Sequence, residues 1–433
     1  MKTMEKTIRY ISDVYPQKAQ FLRNEPIEIA VELSNPEEKS FVGELRVEIS
    51  YLHEIVEESY MRLDIPPGNQ TVFIDLVSRD VDFAGYGVDV SLYSGGKPVD
   101  TLSTSFDVVS HWRKSTRYGF LSDFYPGDEG DDGDVKSLCK LHINLVQFYD
   151  WMYRHDELVS PVPEYTDLMG RKLNRRAVQD KISLCHQYGM KAIAYGAVYA
   201  ASRGFYEEHT DWAFYGSGGK VLDFINIFYL MNISEDCPWH RHIIAQYRNA
   251  LEQMDFDGIH MDTYGYPKTA ISRWGGTERV VRLEECLPVL INNTRKEMES
   301  TGRDACLVFN NVGNWPVGST ASAEQDAVYI EVWKPYERYH HIQQLILEAK
   351  HFSDGKPVIL AAYLKPFREE TSPGEYMAEI SCLLLTAAIA ANGGYHMLLG
   401  EQGGILTQGY YVDYSKLEYR FIRRIRDYYD FII

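Results

Sequence analysis

The chain has 433 residues, 45% hydrophobic and 24% charged, a globular composition long enough for two or three domains. Its 44 basic and 62 acidic residues leave a formal charge of −18, which disfavours nucleic acid and acidic lipid surfaces as partners. The longest apolar run, Cys382–Ala391 with Thr386 inside it, falls well short of the roughly 20 residues that cross a bilayer.

The first residues, Met1–Lys18, contain no apolar signal-peptide core, so the chain as written reads as cytoplasmic, or as secreted if a leader has been trimmed. Residues 1–112 then read as β. Alternating runs recur at Ile27–Leu33, Leu45–Tyr51, Thr71–Val77, Gly87–Tyr93 and Thr104–Val109, separated by Pro, Gly and Asn turns. This spacing predicts a small β-sandwich with no catalytic constellation of its own, a structural or docking module.

Residues 113–433 change texture. Apolar strand candidates alternate with amphipathic helices: Tyr118–Ser122, Leu145–Tyr149, Lys191–Tyr195, Gly258–Asp262, Ala305–Asn310, Val328–Val332, Pro357–Ala362 and Gly394–Leu399. Helices are predicted over Arg175–Tyr188 before Gly189, over Glu278–Ser300 before Gly302, and over Leu417–Ile433. Eight strands, each followed by a helix, are the count of a (β/α)8 TIM barrel, and continuous apolar strands fit a parallel sheet covered on both faces. The alternative, an open doubly wound sheet, lacks support because no Gly-rich phosphate loop follows any strand.

In such a barrel the chemistry sits where the strands end. The candidate substrate contacts there are Asp123, Asp150, Trp151, Tyr195, His260, Asn310, Asn311, Trp333, Tyr363 and His396. With 32 Tyr, 18 Phe and 7 Trp, the chain has the aromatic stock for stacking on sugars, although cores use the same residues. Two acids stand out. Asp262 closes the run Phe256–Met261, and Glu331 lies within Ala327–Trp333, where an unpaired acid is costly to bury unless it has a function. Two carboxyls at one cleft can divide acid and nucleophile roles between them, the work of a glycosidase. A helix cap or a structural salt bridge is the alternative for either one alone. Asp123, Asp150, Asp257 and Glu401 read as ligand contacts or as helix caps.

Other chemistries find little support. The six Cys are dispersed, with no zinc or redox pair among them. The acidic run Asp128–Asp134 lacks the spacing of a calcium loop. There is no HExxH and no Gly-x-Ser-x-Gly elbow, and no metal or other cofactor is called for.

Three segments, in this order and spacing, carry a resemblance: Gln147–His155, Phe256–Asp262 and Tyr329–Trp333, together with the opening Tyr118–Phe124. They resemble glycoside hydrolase family 66, the dextranases and cycloisomaltooligosaccharide glucanotransferases, and lie closer to a dextranase. The resemblance runs over nearly the whole chain and implies an immunoglobulin-like N-terminal domain before the barrel. It implies retaining, endo-acting hydrolysis of α-1,6-glucosidic linkages in dextran or isomaltooligosaccharides. Asp262 would then be the nucleophile and Glu331 the general acid/base, with Asp150 and Trp151 in a segment that holds substrate. Their carboxyls are expected about 5–5.5 Å apart. Members usually continue into a C-terminal β-domain, so a shortened or cut member is expected. The intervals between barrel strands leave no room for the large inserted carbohydrate-binding module of the cyclising members, which favours hydrolysis over cyclisation. The alternatives are an α-1,6-glucan transglycosylase with the same residues and a non-catalytic carbohydrate-binding barrel. Retention of both acids argues against the latter.

Overall fold

The computed structural model describes residues 9–433. Seven strands come first: β1 (Ile11–Pro16), β2 (Ile27–Asn35), β3 (Phe41–Tyr51), β4 (Glu54–Ile65), β5 (Gly68–Leu76), β6 (Ala84–Ser94) and β7 (Lys97–Val108). They form two antiparallel sheets, ordered β1-β2-β5 and β4-β3-β6-β7. Alternate residues point inward, as the pleat requires. Val14, Ile29, Val31 and Leu33 of the first sheet join Leu45, Val47, Ile49, Val88, Val90 and Phe106 of the second in one buried cluster. All five strands expected from the sequence are present. β1 and β4 are additional, and β4 is solvated along most of both faces, so it carries little alternation.

The second part is a ring of eight parallel strands: β8 (Tyr118–Leu121), β9 (Leu145–Phe148), β10 (Lys191–Ala197), β11 (Gly258–Asp262), β12 (Cys306–Val312), β13 (Ala327–Glu331), β14 (Val358–Ala361) and β15 (Tyr395–His396). They are hydrogen-bonded in chain order. The ring closes through one bridge between Phe120 and Gly400, where the Phe120 amide donates to the Leu399 carbonyl at 3.1 Å. A Cβ on Gly400 would come within 2.4 Å of the Phe120 ring, so the seam depends on a glycine. Ser122 continues the seam with its amide on the buried Glu401 carboxylate at 3.0 Å. This is the barrel expected from the strand count.

Seven helices wrap the barrel: α1 (Gly133–Cys139), α2 (Arg175–Gln187), α3 (Pro238–Met254), α4 (Leu283–Ser300), α5 (Tyr339–Ser353), α6 (Glu375–Ala391) and α7 (Tyr419–Ile432). A one-turn helix, Val317–Thr320, bridges β12 to β13. Asn174 caps α2 by accepting from the Arg176 amide at 2.7 Å, and Gly189 turns the chain after it at φ +70°. α4 begins later than the helical spacing predicts. Residues Arg279–Arg282 pair instead with Thr269–Ser272, which also pairs with Phe214–Tyr215. The long connections after β10 and β11 are thereby tied into one small sheet.

The two parts are joined by buried charge. The Arg117 guanidinium donates to Asp107 of β7 at 2.7 and 3.1 Å and to the Ala19 carbonyl at 2.9 Å. Arg426 of α7 donates to Asp13 of β1 at 2.6 Å. No helix among the described residues is long and apolar enough to cross a membrane.

Candidate active site

Asp262 is the last residue of β11 and Glu331 the last of β13, so both side chains enter the same mouth of the barrel. Each is 9% exposed, enough for a substrate atom to reach them and little enough to strip most water. Asn310 of β12, the strand between them, joins the pair. Its Nδ2 donates to Asp262 Oδ1 at 2.7 Å and lies 3.3 Å from Glu331 Oε2. A nitrogen shared at those distances keeps the two oxygens within about 6 Å of each other, below the separation of about 6.5–9.5 Å that would leave room for an attacking water.

Two tyrosines hold the outer oxygens. Tyr195 Oη donates to Asp262 Oδ2 at 2.7 Å, and Tyr363 Oη donates to Glu331 Oε1 at 2.6 Å. Burial above all, then the negative charge of Glu331, pushes Asp262 up to about 7, against the pull of the Tyr195 and Asn310 donors. Burial also raises Glu331 above the usual carboxylate range. Two such groups cannot both ionise easily, so they titrate as a coupled unit. Asp262 accepts two bonds of 2.7 Å, from Tyr195 and Asn310, and Glu331 accepts one of 2.6 Å from Tyr363.

The other sequence-predicted residues divide into groups. Tyr195, Asn310 and Tyr363 touch the acids directly, and Trp333 stands 38% exposed beside Tyr363 with ring centroids 5.4 Å apart. Asp150 is buried and lifted by burial to about 7, with Arg171 Nη2 3.9 Å from its carboxylate. Asp123 lies farther along the rim, where it accepts from Tyr414 Oη at 2.9 Å.

Trp151, His260, Asn311 and His396 are placed differently from the expectation that they contact substrate. Trp151 is 1% exposed, packs on Phe256 and donates Nε1 to the Tyr195 carbonyl at 3.2 Å. Asp150 before it has φ +50°, a left-handed turn that breaks the strand alternation and sends the indole inward. His260 points into the barrel interior against Tyr118 Oη at 2.8 Å. Asn311 is bound to the Tyr329 carbonyl and Thr320, and His396 to Thr386 and the Ala362 carbonyl. Of these four, His260 lies in the barrel interior, while Asn311 and His396 are bonded to the helical layer around it.

Asp257 and Glu401 resolve to structural roles. Asp257 binds His186 and Lys191 at the opposite end of β11, where it lines a concavity of about 550 Å³ near Lys18 and Trp112. Glu401 is spent on the barrel seam.

Sequence reasoning missed the wall that descends after β15. Tyr411 stacks on Tyr149 with centroids 4.6 Å apart, and its hydroxyl meets that of Tyr329. The Tyr264 hydroxyl and His155 Nδ1 are buried with no protein partner. Burial holds His155 down at about 4, so it stays neutral. Among the described residues, no group of three or more His, Cys, Asp or Glu side chains could hold a metal ion.

A family profile, Glycosyl hydrolase family 66, matches residues 16–433. The chain belongs to this family. It is 26% identical over 415 residues to a cycloisomaltooligosaccharide glucanotransferase of Niallia circulans, covering 89% of this chain and 41% of that protein. It is 22% identical over 458 residues to a dextranase of Streptococcus salivarius, covering 89% of this chain and 54% of that one. The chain thus spans about half, or less, of the length of these relatives. Among solved structures, a Paenibacillus cycloisomaltooligosaccharide glucanotransferase complexed with cycloisomaltoheptaose superposes with a TM-score of 0.86 at 20% identity, covering 98% of this chain and 80% of that one. That likeness establishes the fold.

Proposed function

We propose that the protein is an endo-acting, retaining glycoside hydrolase that cleaves α-1,6-glucosidic linkages of dextran by double displacement. The observation that carries this reading is the pair Asp262 and Glu331, bridged by Asn310 and bounded at about 6 Å, close to the retaining separation of about 5–5.5 Å. The dextranase and glucanotransferase names of the relatives supply the linkage.

Glucan lies across the barrel mouth. Asp262 Oδ attacks the anomeric carbon as the C1–O6 bond breaks, and Glu331 gives its proton to the departing O6. A β-linked glucosyl–Asp262 ester and a shortened glucan result. Glu331, now ionised, takes a proton from water, whose oxygen displaces Asp262 and restores the α configuration. Tyr195 keeps Asp262 Oδ2 oriented, and Tyr363 does the same for Glu331 Oε1. In this reading residues 1–112 form an immunoglobulin-like sandwich that supports the barrel, residues 113–433.

The test is incubation with dextran, pullulan and starch, followed by product sizing and by NMR of the first-formed anomer. Linear isomaltooligosaccharides released as the α-anomer, with little action on starch, are expected. Cyclic products would move the reading to glucan transfer. A first-formed β-anomer, equal cleavage of starch, or intact dextran would refute it.

A further inference from the structure

The proposed acid, Glu331, is roofed by main chain. The segment after β15 forms a short hairpin, with Gly404–Ile405 paired to Ser415–Lys416. Its tip lays Gly409 directly over Glu331. A Cβ built on Gly409 would stand 2.8 Å from Glu331 Oε1, 3.3 Å from Trp333 Cζ2 and 3.6 Å from the Tyr363 hydroxyl. The Gly409 backbone is not left-handed, so space and not conformation demands the missing side chain.

Something must shift if that space is filled, and the hairpin is poorly able to do so. The Leu406 amide donates to the Leu398 carbonyl at 2.9 Å, and its own carbonyl accepts from Leu364 at 3.0 Å. Tyr411 is buried on Tyr149, Tyr414 is bound to Asp123, and Asp413 accepts from Arg368 at 2.9 Å. Tyr149 Oη reaches the Gly409 carbonyl at 3.4 Å. By contrast, the Glu331 carboxyl is the free end of a side chain. It is the part that yields, and yielding takes Oε1 off Tyr363.

The two Glu331 oxygens are not equivalent. Oε1 is enclosed by Tyr363 and Gly409, whereas Oε2 lies 3.3 Å from Asn310 Nδ2, the nitrogen it shares with Asp262, and Trp333 also bonds the carboxylate. We propose that Gly409 is a positioning residue: its empty Cβ space lets Glu331 seat Oε1 on Tyr363 and present Oε2 to the glucosidic oxygen. This rests on the reading of Glu331 as the acid/base.

The test compares Gly409→Ala with wild type and with Gly218→Ala, a loop glycine whose Cβ would meet nothing within 4 Å. Two substrates are used: dextran, whose leaving group needs a proton, and an activated aryl α-glucoside, whose leaving group does not. For Gly409→Ala, kcat on dextran is expected to fall about 10²-fold, the scale of a 1 Å misplacement, with KM nearly unchanged. The activated substrate should lose far less, and Gly218→Ala should match wild type on both. The ratio of the two rates is independent of the folded fraction, so it is valid even if Gly409→Ala is unstable. Adding Gly409→Ala to Glu331→Gln should cost little further, because both act through one group. An unchanged ratio, or a fully additive double variant, overturns the proposal. Wild type that cleaves the aryl glucoside but not dextran refutes the α-1,6 reading instead.

Discussion

Asn310 is the donor that the two candidate acids share, and its removal has a calculable effect. Asn310→Ala withdraws a 2.7 Å hydrogen bond from Asp262 and a 3.3 Å contact from Glu331. A hydrogen bond to a charged group contributes about 1.5–3 kcal/mol, and one pH unit of titration corresponds to about 1.4 kcal/mol. Asp262 already titrates at about 7, so losing the donor that favours its anion moves it upward by roughly one to two pH units. The acidic limb of kcat/KM, which reports the group that must be ionised, moves the same way. At pH 7, where wild type is about half ionised, the variant should be roughly 5- to 50-fold slower and should recover part of that loss toward pH 8. Initial rates on an activated aryl α-glucoside between pH 5 and 9 are the assay. They need no proton from Glu331 for departure, so they isolate Asp262. A variant with an unmoved acidic limb, or one displaced downward, would refute Asn310 as the group that sets the ionisation of the pair.

The remaining expectations are independent of that one. Asp262→Ala should abolish turnover of glucan, whereas Glu331→Gln should lose about 10²–10⁴-fold on dextran and far less on the activated substrate. Azide should then yield the α-glucosyl azide from Glu331→Gln, by attack on the covalent intermediate, and the β-azide from Asp262→Ala, by direct displacement; reversed anomers would exchange the two roles. Because Asp262 titrates higher in the folded than in the unfolded chain, the native state loses stability as pH rises from about 4 to 7. Asp262→Asn should therefore be more stable to unfolding than wild type at pH 8 by up to about 4 kcal/mol and close to it at pH 4, as read by denaturant titration; a constant difference across pH would contradict this. Arg117→Met strands the buried Asp107 carboxylate between the two parts of the chain, at a cost of about 3–5 kcal/mol, and calorimetry that shows an unchanged melting temperature would remove the ion pair as their link.

Much of the fold was legible because its signals are local. The barrel strands are mostly apolar runs with few polar interruptions, as strands buried on both faces read. β4 was not, since Glu54, Glu57 and Glu58 lie on a strand whose two faces are mostly solvated. The start of α4 was misjudged because Arg279–Arg282 fits either period and is decided by a distant partner, Thr269–Ser272. Within the site, Asp262 and Glu331 announce themselves as acids in apolar runs. Trp151 sits next to a polar strand end yet points inward, because the left-handed turn at Asp150 has no signature in residue type. Gly409 and Tyr411 were invisible for a different reason. They belong to a stretch without periodicity, and their meaning depends on Glu331 and Tyr149, which lie far away in sequence.

The closure of the barrel at Phe120 and Gly400 has a consequence for how this protein can vary. Loops at the mouth of such barrels ordinarily lengthen, shorten and exchange with little effect on the scaffold. Here the hairpin over Glu331 is continuous with the clasp of the hoop, for the chain runs from Leu399 and Gly400, through Glu401 on the Ser122 amide, straight into Gly404–Lys416. A graft that replaced this hairpin would also unfasten the joint between first and last staves. The connections after β10 and β11 differ from the hairpin, for they are tied to each other through Thr269–Ser272 and not to the clasp.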